Sequence, residues 1–147
     1  MTTKLELLGR TLEEGFPFDE DIPTALASPD RLARLRQAVE AVGGPDLVVE
    51  MVGDHGFRTE RLGVDGFVEG WQDWVHPFES FRIVLDGVSE AGDHVLVLVT
   101  QIVRPRGTAV EITQDAAAVW SFEGERLKRV GFYLDRDEAR SAAGLTD

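Results

Sequence analysis

Four polar side chains carry most of the chemistry that this sequence offers. Asp115 and His55 are the candidates for a catalytic base, because a carboxylate or an imidazole can take a proton from a bound molecule. Gln101 and Gln114 are candidates for orienting a ligand carbonyl or hydroxyl, because a buried amide is costly unless it forms hydrogen bonds. The alternative for both glutamines is that they bond the backbone, each other or water.

Whether Asp115 or His55 can act as a base depends on the direction in which its side chain points. Regular alternation along its strand points Asp115 outward, across from Tyr133, where the two would form a surface or interface pair. A single β-bulge would instead turn Asp115 inward, where it could act as a general acid or base. His55 lies in the polar loop 53–57, which could close over a pocket and supply a base from the helix side.

Large apolar side chains are the expected lining of a ligand pocket. The residues expected there, beside the two glutamines, are Trp71, Trp74, Trp120, Phe132, Val99 and Ala118. Tryptophans can stack on a flat ligand, although aromatic residues at such spacings also build ordinary cores. Alanines at 116–118 favour an open cavity, whereas Trp120 and Phe132 favour one filled by the chain itself. An open cavity of roughly 300 Å³ or more would favour a ligand.

Metal ions and nucleotide cofactors are not expected. The chain has no cysteine, which excludes disulfides and thiolate ligands. His55, His76 and His94 are far apart in sequence, and none has a second ligand at metal-binding spacing. The glycines follow neither phosphate-binding nor dinucleotide-binding spacing. We therefore expect a protein that works without a cofactor.

Composition predicts one soluble domain. The 147 residues suffice for a single core, and 43% hydrophobic with 29% charged residues is ordinary globular composition. Acidic residues outnumber basic ones by 27 to 15, and the formal net charge of −12 repels phosphate backbones and anionic lipids. We expect neither nucleic acid nor membrane as a partner. No signal-like or membrane-spanning apolar run is visible, so the expected location is cytoplasmic.

The first half of the chain reads as helices. Leu5, Leu8 and Leu12 recur at helical spacing. Ser28 is the expected N-cap of a second helix, which the glycines at 43–44 end. Residues 46–52 form a short apolar run that predicts a strand, and the polar stretch 53–63 is expected to be a loop. A third helix is predicted over 64–76, ended by Pro77.

The second half reads as four strands joined by short links. The strands are predicted over 81–89, 94–104, 109–122 and 126–134, and short links make neighbours antiparallel. The last dozen residues are expected to form a short polar surface helix. Helices followed by an antiparallel meander predict an α+β domain with the helices on one sheet face.

Hairpin pairing then assigns the faces of the meander. With tight links, Val99 opposes Gln114 and Ala118 opposes Val130. The expected pocket face carries Val97, Val99, Gln101, Gln114, Ala116, Ala118, Trp120, Val130 and Phe132. The expected outer face carries His94, Leu96, Leu98, Thr100, Ile102, Ala117 and Val119. The outer set is too apolar to stay in water, which predicts a homodimer through this face.

Several phrases between residues 63 and 145 resemble proteins of the SnoaL-like family. These are GVDGFVEGWQDW, AGDHVLVLV and AAAVWSFEGERLKRVGFYLDRDEARSAAGL, of which the closing FEGERL and YLD are the most specific. The resemblance implies a nuclear transport factor 2-like fold, in which a bent sheet and helices form a cone around a pocket. It also implies relatives among polyketide cyclases, ketosteroid isomerases and limonene-epoxide hydrolases, many of which pair through the outer sheet face.

The catalytic positions of these relatives hold other residue types here. The Arg-x-Asp of the epoxide hydrolases matches Val99 and Gln101, and the isomerase Asp on the third strand matches Ala118. The Asp that cyclases carry on the last strand matches Phe132. We therefore expect none of these mechanisms with its usual residues.

Two functions remain open from the sequence. One is binding of a small apolar or amphipathic molecule, with or without proton-transfer catalysis such as isomerisation, cyclisation or dehydration. The other is a non-catalytic dimeric module for ligand binding or protein interaction, whose cone is filled by its own side chains.

Overall fold

The computed structural model describes residues 3–14, 16, 20–53 and 57–145. Its helices are α1 (Lys4–Glu14), α2 (Ile22–Ala27), α3 (Pro29–Val42), α4 (Gly63–Val75) and α5 (Arg136–Ala142). Its strands are β1 (Val48–Val52), β2 (Arg58–Leu62), β3 (Phe78–Ala91), β4 (His94–Pro105), β5 (Ile112–Glu123) and β6 (Arg126–Tyr133). No helix within these described ranges is long and apolar enough to cross a membrane.

Capping residues set the helix boundaries in the first half. The Ser28 hydroxyl accepts a hydrogen bond from the amide of Arg31, and Pro29 takes the first position of α3, as predicted. The short helix α2 was not predicted. Asp21 caps it, and the second carboxylate oxygen of Asp21 accepts the amide of Phe81 at 2.8 Å. This contact joins the helical layer to β3.

The six strands form one sheet in the order β2-β1-β6-β5-β4-β3. The antiparallel meander β3–β6 confirms the predicted α+β class, and β1 adds to β6 in parallel. β2 corrects the expectation of a loop over 53–63, because it pairs antiparallel with β1 along the sheet edge. Its sequence, RTERL, has no apolar alternation, since one face of this edge strand is exposed and the other, with Thr59 and Arg61, is half-buried beneath α4.

The faces of the meander are as predicted, but the predicted register is wrong by two residues. Val99 pairs with Ala116, not with Gln114. Ala118 pairs with Phe132, not with Val130. The turn between β4 and β5 is longer than assumed. Between the pairs Ser121–Arg129 and Phe122–Leu127, β6 has one more residue than β5. A shift of two leaves every side chain on its face, because side chains alternate with period two.

Each sheet face is covered differently. The helices α1–α4 lie over the inner face and bury the main core, which includes Phe67, Val95 and Trp120. On the outer face, Ala139 and Ala143 of the α5 region pack in a second cluster against Leu96, Ala117 and Val119. The chain's own last helix thus covers part of the face that was expected to meet a second copy.

Candidate functional site

A narrow cavity lies between the helices and the inner sheet face. Its volume is about 30 Å³, which is room for about two water molecules and far below the 300 Å³ of an open ligand pocket. The residues that line it are almost all apolar: Leu12, Phe16, Trp71, Ile83, Val97, Val99, Gln101, Ala116, Ala117, Ala118, Trp120, Phe132 and Tyr133.

Aromatic rings fill most of the cone. Phe132 lies at the centre, with its ring 4.9 Å from that of Trp71, 5.7 Å from Phe67 and 6.1 Å from Trp120, measured between centroids. The ring of Phe16 meets Trp71 edge-on at 5.2 Å. Such edge-to-face contacts stabilise a packed core. The ring of Phe132 therefore fills the middle of the cone.

Gln101 contributes a polar side chain to the cavity lining. It is only 3% exposed, and its carbonyl oxygen accepts a hydrogen bond of 2.8 Å from the side-chain amide of Gln114. The two residues face each other across β4 and β5. The two glutamines are thus bonded to each other, and the amide nitrogen of Gln101 has no partner among the described residues.

Two more hydrogen-bond donors of the lining are unpaired. Trp71 and Trp120 are 3% and 2% exposed, and within the described part of the chain neither indole nitrogen has a hydrogen-bond partner. A buried donor without a partner costs about 1–3 kcal/mol, and most native structures avoid it. Because both tryptophans line the cavity, their indole groups are candidate donors to an oxygen of a bound ligand or water.

Neither predicted base is seen at the cavity. Asp115 lies on the outer face opposite Thr100, its side chain is 71% exposed, and β4 and β5 pair without a bulge around it. Its expected partner Tyr133 instead faces Ala117. His55 lies outside the described residues. Among the residues described, the cavity lining holds no carboxylate and no histidine, and no group of three or more His, Asp or Glu could hold a metal.

The predicted ligand-binding residues divide into two groups. Those that line the cavity are Gln101, Trp71, Trp120, Phe132, Val99 and Ala118. Gln114 lies behind Gln101, and Trp74 packs on the core without reaching the cavity. Leu12, Phe16 and Ile83 were missed, and so were Ala117 and Tyr133, which were expected on the outer face. Leu12 was visible as part of a helical stripe, but nothing in the sequence indicated which helix lies over the sheet.

A second buried polar cluster, on the outer face, was also missed. The Glu50 carboxylate accepts hydrogen bonds from Arg58 at 3.0 Å, Arg129 at 2.9 Å and the Tyr133 hydroxyl at 3.3 Å. Burial, and then the charge of Glu50, raise the pKa of Tyr133 to about 12. The only signal was a Glu within the apolar run of β1. Because its groups are paired with one another, we interpret this cluster as structural.

A comparison with protein-family models matches residues 26–130 to the SnoaL-like domain. No curated protein matches this chain. The matched segment spans well over half of the chain, from the end of α2 into β6. It therefore includes both strands that carry the glutamine pair.

Solved structures with the same fold share little sequence with this chain. A nuclear transport factor 2-like protein of unknown function from Burkholderia pseudomallei is 18% identical, with a TM-score of 0.62 over 96% of this chain and 97% of that one. A putative SnoaL-like polyketide cyclase from Jannaschia is 12% identical, with a TM-score of 0.59 over 88% and 83%. A hypothetical protein with a ketosteroid isomerase-like fold from Catenulispora acidiphila, in complex with trimethylamine, is 15% identical, with a TM-score of 0.56 over 99% and 96%. These similarities show the fold.

Proposed function

The chain belongs to the SnoaL-like domain family, and from that premise we propose that it binds a small, mostly apolar molecule inside the cone. The observation that carries the proposal is the buried amide of Gln101, which stands in an otherwise apolar lining beside two unpaired indole groups. A few polar groups in an apolar concavity are typical of small-molecule sites.

A ligand larger than two waters needs the cavity to widen. Leu12 and Phe16 form the wall contributed by α1 and the segment after it, while the other walls belong to the sheet and α4. The sheet and α4 are each packed on several sides, as the ring contacts of Phe132 illustrate. We therefore propose that a ligand enters at the wall to which Leu12 of α1 contributes.

The proposed function is binding without a chemical step at Asp115. Proton transfer needs a base within hydrogen-bond reach of the reacting atom, and Asp115 lies on the other side of the sheet. His55 stays a prediction as the remaining candidate base. If His55 were catalytic, isomerase or dehydratase activity would disappear in a His55→Ala variant whose ligand binding is intact.

The small volume of the cavity supports a second candidate function. The aromatic cluster around Phe132 is close to a complete core, as expected for a module that binds partners through its surface and nothing through its cone. In that case small molecules would not stabilise the fold at all.

Thermal unfolding separates these two functions. We would measure the midpoint with cyclohexanone, cyclohexanol and methylcyclohexane, three compact rings that differ in one group. A ligand that binds only the folded chain raises the midpoint in a concentration-dependent manner. We expect at least one of the three to do so, and the absence of any rise up to the solubility limit would overturn the proposal.

Two variants locate the binding. Ala118→Leu and the smaller change Val99→Ile both add carbon atoms to the cavity lining, so each is expected to reduce the rise in midpoint. Ala33→Leu, on the exposed side of α3, is the control and is expected to leave the rise unchanged. A rise that persists in both cavity variants would place the ligand elsewhere.

A homodimer is proposed through the part of the outer face that α5 leaves uncovered. Val84 is 48% exposed there, and Ile102 is half-buried on the neighbouring strand. Apolar side chains that are partly exposed on adjacent strands favour contact with another protein surface, and Val84 and Ile102 form the strip proposed for it.

A further inference from the structure

We propose that the cavity selects neutral molecules that carry a carbonyl-type hydrogen-bond acceptor and rejects those that offer only a donor. This inference rests on the proposed function and specifies the chemical class of its ligand. The unpaired polar side-chain atoms of the lining residues are all hydrogen-bond donors, and the selectivity follows from this.

The amide orientation of Gln101 is set by its neighbour. Gln114 donates from its amide nitrogen to the carbonyl oxygen of Gln101, at 2.8 Å. With its acceptor used in this way, Gln101 retains two N–H groups and offers them to the cavity that it lines. Gln114 therefore acts as a positioning residue, because it determines which end of the Gln101 amide a ligand meets.

The tryptophans add donors of the same kind. An indole N–H can donate and has no lone pair with which to accept. Trp71 and Trp120 both line the cavity, both are buried, and both lack a partner for this group among the residues described. A ligand oxygen placed among these side chains would satisfy donors that are otherwise left without bonds.

Because the described part of the lining carries no charge, it favours a neutral acceptor over a charged one. The described lining residues include no arginine, lysine, histidine or carboxylate. Burying an ionised group without a counter-charge is far more costly than burying a carbonyl. A carboxylate ligand would therefore be rejected, although it is also an acceptor. An alcohol can accept from the amide, but its own hydroxyl hydrogen would have to share the Gln101 carbonyl oxygen, which already accepts from Gln114.

Calorimetric titration of the full chain tests this selectivity. The probes are cyclohexanone, cyclohexanol, methylcyclohexane and cyclohexanecarboxylate. We expect cyclohexanone to bind about fivefold more tightly than cyclohexanol or methylcyclohexane, which is the effect of about one buried hydrogen bond. Cyclohexanecarboxylate is expected not to bind. Equal affinities for the ketone and the alcohol would overturn the inference.

Gln114→Glu is the decisive variant, because a carboxylate can only accept. Gln101 must then turn its amide nitrogen toward residue 114 and present its carbonyl oxygen to the cavity. We expect the preference to reverse in favour of cyclohexanol. Gln114 is half-buried at the sheet surface, so the new charge can remain hydrated. Retention of the ketone preference in Gln114→Glu would contradict the assigned role of Gln114.

Phe substitutions test the indole donors separately. Trp71→Phe and Trp120→Phe remove an N–H while keeping an aromatic ring, and each is expected to weaken cyclohexanone binding more than methylcyclohexane binding. Trp74→Phe is the control and is expected to change neither, because Trp74 does not reach the cavity. Equal weakening of both probes would indicate altered packing and overturn the donor role.

The titrations distinguish a chain that binds none of the rings from one that binds them without preferring an acceptor. If none of the rings binds, the site itself is refuted. If they bind with equal affinity, or if only the donor alcohol binds, the site stands and its selectivity for acceptors is refuted.

Discussion

Gln101 connects the buried lining with the half-buried Gln114, and its replacement tests how polar the cavity is. Gln101→Leu removes both donors but keeps a side chain of similar volume. We expect the free energy of unfolding to change by no more than about 1 kcal/mol, because the half-buried Gln114 can turn its amide to water. Urea denaturation measures this value, with Gln37→Leu on the exposed surface of α3 as the control.

The same variant should lose its discrimination between ring probes. Cyclohexanone and methylcyclohexane are expected to bind Gln101→Leu with affinities closer together than in the parent chain. A full ketone preference in Gln101→Leu would show that the amide does not meet the ligand.

Tyr133 gives a prediction about pH. The raised pKa, about 12 against a usual value near 10, means that folding favours the protonated phenol. Its contribution to stability is fully present below pH 10 and is lost as the pH rises from 10 through 12. The change corresponds to about 3 kcal/mol at most. Tyr133 is the single tyrosine of the chain, so tyrosinate absorbance measures its pKa directly.

Tyr133→Phe provides the reference for this prediction. The variant is expected to be less stable at neutral pH by about 1 kcal/mol, because Glu50 loses a donor. Between pH 10 and 12 its stability should fall less steeply than that of the parent. A tyrosine that titrates at its usual pKa in the folded chain would contradict the burial described for it.

At the scale of elements, the first residue of α5 adds hydrogen bonds and an ion pair to the apolar packing that holds this helix on the sheet. The Arg136 guanidinium donates to the carbonyl oxygens of Val99 at 2.7 Å and Ala116 at 3.2 Å, and it pairs with Asp86 at 2.7 Å. We expect Arg136→Ala to lower the free energy of unfolding by about 1–2 kcal/mol, measured by urea denaturation.

Arg140→Ala is the matched control on the same helix. Arg140 pairs only with the exposed Asp137 among the described residues, and such surface pairs contribute little. We expect a change within about 0.5 kcal/mol. Equal effects of the two substitutions would mean that α5 is not anchored through Arg136.

Local chemistry explains which elements were predictable. Ser28 and Pro29 set the start of α3, and apolar alternation placed the meander strands, because these signals act between near neighbours. β2 could not be recognised, since an edge strand of charged residues has the composition of a loop. The pairing register depends on turn length and on a bulge near Ser121, neither of which the strand residues reveal.

At the scale of the molecule, the outer face is expected to support a dimer that avoids α5. Sedimentation at micromolar concentration should give twice the chain mass. Ile102→Glu places a charge in the proposed strip and should yield monomers, while Val110→Glu, in the exposed segment between β4 and β5, should not. A monomeric parent chain would refute the dimer and would be consistent with α5 alone covering this face.

The contents of the cone could be predicted only in part. Strand parity identified Gln101, Val99, Ala118, Trp120 and Phe132 as inner residues, and all of them line the cavity. The volume could not be predicted, because it depends on how the aromatic rings interlock across elements. The orientation of Asp115 was equally beyond reach, since a single inserted residue would have reversed it.

The most direct test of the central claim observes the unpaired donors themselves. The three tryptophans give three indole N–H signals in a nitrogen-15 correlation spectrum, which Trp→Phe variants assign. On titration with cyclohexanone, we predict that the signals of Trp71 and Trp120 shift saturably while that of Trp74 stays in place. Unchanged signals throughout the titration, or equal drift of the three, would contradict a ligand site inside the cone.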